Sequence, residues 1–151
     1  MTGRCACGAS RYRLASEPLI VHCCHCLNCQ RQSGGAFAVN VLIEADRVEL
    51  AGEPLHAVDV PRDDGSAQTI HRCSTCEVAL FSLYSSPRVW FIRAGTLDDP
   101  AAVAPDVHIF TRSKLPWVAL PEGVPAFEEL YERESVWPPA SLERLAALRA
   151  G

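Results

Sequence analysis

The chain has 151 residues, a formal net charge of −4 and eight cysteines. Its length favours one domain, because a chain of this size can bury about 70% of its unfolded surface. The 14 Lys and Arg residues are scattered among 18 Asp and Glu residues, which argues against a nucleic-acid surface and favours a small-molecule partner. Charged residues interrupt every apolar stretch and the first residues carry no apolar leader, so we expect no membrane span and a cytoplasmic location.

The cysteines occur in closely spaced pairs and triplets instead of being spread along the chain. In a reducing cytoplasm such C-x-C and C-x2-C units indicate metal ligation, with zinc favoured over an iron–sulfur cluster or redox thiols. Disulfides remain the alternative, but cysteines one residue apart seldom have the geometry to bridge each other.

The N-terminal segment predicts a turn and then a strand. Cys5, Cys7 and Gly8 form a C-x-C-G turn, in which the glycine can adopt a positive φ. Polar and apolar residues then alternate as far as Leu14, as in a half-buried strand. A short apolar run over residues 19–23 predicts a second strand that leads into the next cysteine cluster.

Four cysteines fall within seven residues of that cluster: Cys23, Cys24, Cys26 and Cys29. The last three form a C-x-C-x2-C run, which can bring three sulfurs to one point through local turns, and we predict a metal-binding loop here. Zinc sites with three protein ligands are catalytic because a fourth position stays available to water or substrate. We expect Cys23 to face the core as a small apolar residue, on the side opposite Cys24.

The rest of the chain up to residue 94 predicts a mainly β, antiparallel domain of short hairpins. Turn signals near residues 51–54, 61–65 and 85–87 separate the apolar runs. The predicted strands lie over residues 36–43, 48–50, 55–60, 68–72, 78–84 and 89–94.

Cys73 and Cys76 form a C-x2-C unit between two of these strands. Two cysteines cannot complete a tetrahedral site, and Cys5 and Cys7 form the other incomplete pair. We therefore predict a structural four-cysteine site, which joins the N-terminus to the middle of the chain and stabilises the fold.

The residues from 121 onward are acidic and predict a peripheral extension. Residues 141–150 are good helix formers, with Ser141 as a candidate N-cap and Leu142, Leu145 and Leu148 on one stripe. We expect a short terminal helix that packs on or beside the domain.

Several motifs together resemble one known family, the glutathione-dependent formaldehyde-activating family, also called the centromere protein V/GFA family. The resemblance covers roughly residues 3–120. The motifs, in chain order, are Gly3-x-Cys5-x-Cys7-Gly8, Cys24-His25-Cys26-x2-Cys29-Gln30-Arg31-x-Ser33-Gly34, Arg72-Cys73-x2-Cys76, Ala94-Gly95-Thr96-Leu97-Asp98-Asp99, and His108-Ile109-Phe110 with Trp117.

The resemblance implies a β-tent fold over residues 3–120, followed by an extension over 121–151. It implies a structural zinc and a catalytic zinc. Because only three protein ligands hold the catalytic zinc, in a loop rich in polar residues and Gly, we expect this zinc to be the more labile and its site to be partly occupied. It also implies a carbon–sulfur lyase that joins the glutathione thiol to formaldehyde as S-hydroxymethylglutathione. The implied structural ligands are Cys5, Cys7, Cys73 and Cys76, and the implied catalytic ligands are Cys24, Cys26 and Cys29.

The chain departs from the family pattern at three places. Glu77 follows the last zinc cysteine where the family commonly has glycine, Gln30-Arg31 replaces Arg-Arg, and Cys23 is additional. Each departure leaves the ligands in place but bears on the identity of the substrate.

Three thiolates around a zinc ion carry one net negative charge, so a substrate thiolate needs a nearby cation or hydrogen-bond donor. Arg31 and His25 are the candidate substrate-binding residues, with Arg72 as a further cation. Arg31 is equally consistent with a surface charge, and His25 with a buried hydrogen-bonding histidine.

The aromatic side chains of Trp90, Phe91, Phe110 and Trp117 are interpreted as core residues rather than as a substrate wall. The alternative to an enzyme is a non-catalytic, zinc-stabilised binding module. A fourth protein ligand at the Cys24, Cys26 and Cys29 site would favour that module.

Overall fold

The computed structural model describes residues 1–62, 65–84 and 86–150, so parts of two predicted turns, at residues 63, 64 and 85, lie outside the described residues. The described residues form ten strands and two α-helices. The strands are β1 Thr2–Arg4, β2 Ser10–Leu14, β3 Ile20–Cys24, β4 Ala38–Glu44, β5 Val48–Gly52, β6 Leu55–Pro61, β7 Ala67–Cys73, β8 Ala79–Leu83, β9 Val89–Arg93 and β10 Val107–Ile109. The helices are α1 Leu27–Ser33 and α2 Pro139–Ala150.

The strands form two sheets. The small sheet has the order β1-β2-β5, and the large sheet has the order β10-β3-β4-β9-β8-β7-β6. The mainly β fold with a short C-terminal helix is confirmed, and the paired strands are antiparallel except for β10, which runs parallel to β3. Three residues are too few for β10 to show a periodicity in the sequence, and α1 also stands where a loop was predicted.

The central strand β4 is buried on both faces, which explains its nearly continuous apolar sequence. Val41 and Ile43 belong to a first core that contains side chains from both sheets, such as Tyr12. Ala38 and Leu42 alternate with them and belong to a second core on the other face. The large sheet therefore has two differently covered faces.

The C-terminal segment, residues 125–150, covers the second face. Its backbone pairs with β10, since the Phe127 N–H donates to the His108 oxygen and the His108 N–H to the Pro125 oxygen, both at 2.9 Å. Leu142 and Leu145 of α2 pack against the second core.

Among the described residues, no helix is long and apolar enough to cross a bilayer.

Two predictions about side chains in this part of the chain were wrong. Ser141 lies within α2 and is not its N-cap, because the helix begins at Pro139, where the fixed φ of proline suits a first turn. Trp117 is 75% exposed and is not a core residue.

A buried ion pair holds α2 against β4. Arg144 Nε donates to Glu44 Oε1 at 2.8 Å, and the Glu44 side chain is only 2% exposed. Burial raises the pKa of Glu44, but the hydrogen bonds from Arg144 outweigh it and leave a lowered pKa. The pair therefore stabilises the folded state above the ordinary carboxyl pKa, and this contribution is lost as the pH falls through the lower folded-state pKa.

We expect Arg144→Met to destabilise the protein by about 3 kcal/mol near neutral pH, because it leaves the buried Glu44 carboxylate with Arg47 as its only ion-pair partner among the described residues. The loss should shrink toward acidic pH as Glu44 becomes protonated. Urea unfolding between pH 4 and 7 measures both effects. Arg13→Met is the matched control, since the Arg13–Glu49 pair is more than half exposed and should contribute at most about 1 kcal/mol. Equal losses in the two variants would contradict the prediction.

Candidate metal centres and the adjoining cavity

The structure brings the four cysteines Cys5, Cys7, Cys73 and Cys76 together, with all four sulfurs within 4.8 Å of one another. The Cys5 and Cys7 sulfurs are 3.4 Å apart, and those of Cys7 and Cys73 are 3.8 Å apart. A tetrahedral metal with bonds of about 2.3 Å to sulfur places its ligands about 3.8 Å apart. The donor set and its spacing therefore fit a closed four-thiolate metal site, and all eight cysteines are free thiols.

The turn after Cys73 contains Glu77 at the position where the resembled family commonly has glycine. Glu77 adopts a left-handed φ of 62°, a conformation that is unfavourable for residues other than glycine. Its N–H donates to the Cys73 oxygen at 3.0 Å, and Arg72 Nη1 donates to the Glu77 oxygen at 2.9 Å. Arg72 thus supports the turn that carries Cys76, and it is not among the described residues that line the cavity beside the second cluster.

The second cluster is formed by the end of β3 and the start of α1, and not by a loop. Cys24 ends the strand, Cys26 is the N-cap of the helix, and Cys29 lies in its first turn. The Cys26 sulfur accepts the Cys29 N–H at 3.3 Å, and Gly34 ends the helix with a positive φ of 66°. This strand-to-helix junction places three sulfurs within 4.8 Å of one another.

Hydrogen bonds make one thiolate favourable in this cluster. Contacts from the Cys24 and Cys29 side chains, and from the backbone N–H of Cys29, lower the pKa of Cys26 well below that of a free thiol. No fourth Cys, His, Asp or Glu of the described residues joins the three sulfurs. The donor set fits a metal that keeps one position for a non-protein ligand.

The three cysteines line a cavity of about 890 Å³. This volume lies at the upper end of the range for small-molecule sites. Phe91 and Phe110 pack against the second core, as predicted, and also form part of the cavity wall, whereas Trp90 packs against the first core. The cavity adjoins the second cluster, and none of the four cysteines of the first group is among the described residues that line it.

Arg93 is the cation associated with the second cluster, and sequence reasoning missed it. Its guanidinium donates to Asn40 Oδ1, to Gln32 Oε1 at 2.8 Å and to Ser82 Oγ at 2.9 Å. These acceptors are neutral, and Arg93 has no carboxylate partner among the ion pairs of the described residues. Its position in β9, distant in sequence from the cysteines, gave no local signal.

The charge of Arg93 acts on Cys29. The hydrogen bond from Cys24 and the positive charge of Arg93 both favour the Cys29 thiolate. The Cys26 hydrogen bond and burial oppose them, and the net effect raises the pKa of Cys29 to about 11. Because the acceptors on Asn40, Gln32 and Ser82 are neutral, the guanidinium can offset the negative charge of a metal held by three thiolates.

His25 and Arg31 are the predicted substrate-binding residues, and neither is among the described residues that line the cavity. Arg31 lies on the exposed side of α1, and His25 is fully buried. A role for either in substrate binding stays a prediction.

His25 belongs to a third group with Cys23 and His108. His25 Nε2 lies 2.9 Å from His108 Nδ1 and 3.6 Å from the Cys23 sulfur. Cys23 is buried, as predicted, on the strand face opposite Cys24, with the two imidazole rings near its sulfur. The sequence carried one signal for this arrangement, since both histidines belong to the motifs quoted above.

We expect Cys73→Ser to lower the apparent Tm by more than about 10 °C, because it opens a site that joins segments distant in sequence. Cys26→Ser should leave the Tm nearly unchanged, since a serine hydroxyl can still accept the Cys29 N–H at the helix N-cap. Thermal unfolding with metal analysis of both variants tests this difference. Comparable loss of structure in the two variants would show that the division between a structural and an accessible site is wrong.

Arg93→Met should weaken metal binding at the three-cysteine cluster by about tenfold, because residues around metal ligands typically contribute that much to affinity. Arg93→Lys is the matched control, since it keeps the charge but loses the planar fork. Competition with a chromophoric chelator measures both affinities. If the two variants lose affinity equally, hydrogen-bond geometry and not charge is responsible; an unchanged affinity in Arg93→Met would exclude both roles.

A mainly β fold, a four-cysteine group and a three-cysteine group define a protein with two cysteine groups that could each hold a metal ion, the second of them beside a cavity. The family model described as "Glutathione-dependent formaldehyde-activating enzyme" matches residues 1–113. The chain belongs to this family.

A curated relative and a solved structure are also similar to the chain. The relative, from Halomonas elongata, is described as "Putative glutathione-dependent formaldehyde-activating enzyme" and is 29% identical over 126 residues, covering 80% of each chain. A crystal structure of a Rhodobacter sphaeroides protein matches with a TM-score of 0.50 at 20% identity, covering 70% of this chain and 92% of that one. The second similarity is one of fold alone.

Proposed function

We propose that the protein is a zinc-dependent enzyme of the carbon–sulfur lyase class, which joins a thiol and an aldehyde as an S-hydroxymethyl adduct. Glutathione with formaldehyde, or a related pair, is the proposed substrate. The observation that carries the proposal is the three-cysteine group that lines a cavity of about 890 Å³ without a fourth described protein donor. A cavity-facing group of this kind favours an enzyme over the binding module.

Zinc is the proposed metal at both sites. Thiolates are soft ligands, and tetrahedral sites built from sulfur are typical of zinc. Cysteines grouped as metal ligands and without disulfides are typical of a reducing compartment, which supports the cytoplasm as the proposed location. When bound at the three-cysteine cluster, zinc supplies Lewis acidity and a binding position for a thiolate or an aldehyde oxygen.

The protein residues hold the three sulfurs in place and balance their negative charge. The strand-to-helix junction holds the three sulfurs, and Arg93 offsets their negative charge from behind the cluster. Phe91 and Phe110 provide apolar wall that limits the access of water to the reacting groups. In the reaction the thiol sulfur bonds to the aldehyde carbon, the carbonyl π bond breaks, and the thiol proton ends on the new hydroxyl group.

The wild-type protein should form S-hydroxymethylglutathione from glutathione and formaldehyde faster than the uncatalysed background, and Cys29→Ser should abolish this excess rate. Exchange NMR of labelled formaldehyde measures the rate directly. Cys23→Ala is the matched control, because Cys23 is adjacent to the cluster but does not line the cavity, and it should retain most of the activity.

Zinc-loaded protein without excess rate on this or related thiol–aldehyde pairs would reject the enzyme and favour the binding module. An equal loss of activity in Cys29→Ser and Cys23→Ala would instead show that the three-cysteine cluster has no special role.

A further inference from the structure

Residues 127–148 of the C-terminal segment form one wall of the cavity that the three cysteines line. The family model ends at residue 113, so this wall is built by a part of the chain that the family match does not cover. Its cavity-lining side chains include Leu130, Tyr131, Arg133, Trp137, Leu145 and Leu148. Residues that distinguish one substrate from another can therefore lie outside the family motifs.

A short chain of hydrogen bonds fixes the wall to the large sheet. The Tyr131 hydroxyl lies 2.7 Å from His22 Nε2 of β3, and Trp137 Nε1 donates to the same hydroxyl at 2.8 Å. Trp137 is only 6% exposed and belongs to the second core. A wall held in this way is preorganised, so a ligand that binds to it does not have to order it.

Arg133 is the residue of this wall whose guanidinium N–H groups are available to bind a ligand. Its guanidinium carbon lies 5.7 Å from the centre of the Trp137 ring, a contact that orients the planar group and leaves its N–H donors available. Within the described chain, Arg133 has no side-chain hydrogen bond or ion pair, whereas Arg88, also at the cavity, donates to the Leu148 oxygen.

The cavity wall carries arginine side chains that can pair with an anionic group of a ligand. Arg62, Arg88 and Arg133 line it, against the two carboxylates of Glu132 and Glu134. Guanidinium groups bind carboxylates through two parallel hydrogen bonds, which adds orientation to affinity. The cavity volume of about 890 Å³ exceeds what formaldehyde and a minimal thiol need, so it leaves room for a substrate that carries such a group away from its sulfur.

We propose that Arg133 forms a carboxylate-binding subsite, which makes the cavity selective for thiols that carry a carboxylate remote from the sulfur. This inference rests on the proposed function, because it assigns the thiol of that reaction to the same cavity. Arg133 binds the carboxylate while the sulfur is directed to the three-cysteine cluster. The subsite determines which thiol is accepted and takes no part in bond formation.

Isothermal titration of the zinc-loaded protein tests the subsite, with glutathione and glutathione diethyl ester as probes. Wild-type protein should bind glutathione about tenfold more tightly than the ester, a difference of about 1.4 kcal/mol. Arg133→Gln should remove this preference by weakening glutathione binding, with the ester unaffected. Arg13→Gln is the matched control, because Arg13 is an exposed arginine that pairs with Glu49 and does not line the cavity.

The outcomes separate the inference from the function on which it rests. Equal binding of the two probes by the wild type, or a preference that survives in Arg133→Gln, would overturn the subsite while adduct formation still supports the function. Absence of binding by either probe, together with no adduct formation, would overturn both. A loss of preference in Arg13→Gln as well would show that the effect is general electrostatics and would also overturn the subsite.

Discussion

The mutual repulsion of clustered thiolates is the constraint on which the rest of the structure depends. Sulfurs held within 4.8 Å of one another cannot all ionise unless a cation or hydrogen-bond donors offset their charge. The protein supplies the N–H groups of short turns at both clusters, and at the second cluster also the guanidinium of Arg93. A bound metal would complete the compensation.

The two faces of the large sheet separate the two centres. The four-cysteine group belongs to the face that the small sheet covers, where Cys5 and Cys73 are part of the first core. The three-cysteine group belongs to the other face, where Cys24 and Cys29 border the second core and the cavity. Metal binding at the first can therefore stabilise the fold, while the second remains accessible to a ligand.

The C-terminal segment connects stability with the shape of the cavity. The Arg144–Glu44 ion pair and the apolar stripe of α2 fasten the end of the chain to β4. The residues between β10 and α2 are thereby held over the cavity, with Tyr131 hydrogen-bonded to His22. Variation in this segment can change ligand selectivity without disturbing the cysteine clusters, because the two are held by different contacts.

The sequence by itself determined the features that depend on local pattern. Apolar runs and turn signals predicted β4 to β9 within a few residues, and the spacing of Cys24, Cys26 and Cys29 predicted their convergence. Only the tertiary structure decided which distant side chains meet. Arg93 lies behind the cysteines because β9 pairs with β4, and Arg133 lines the cavity because the chain folds back over β3 and β10. Such contacts join residues far apart in the chain, so no local periodicity or spacing encodes them.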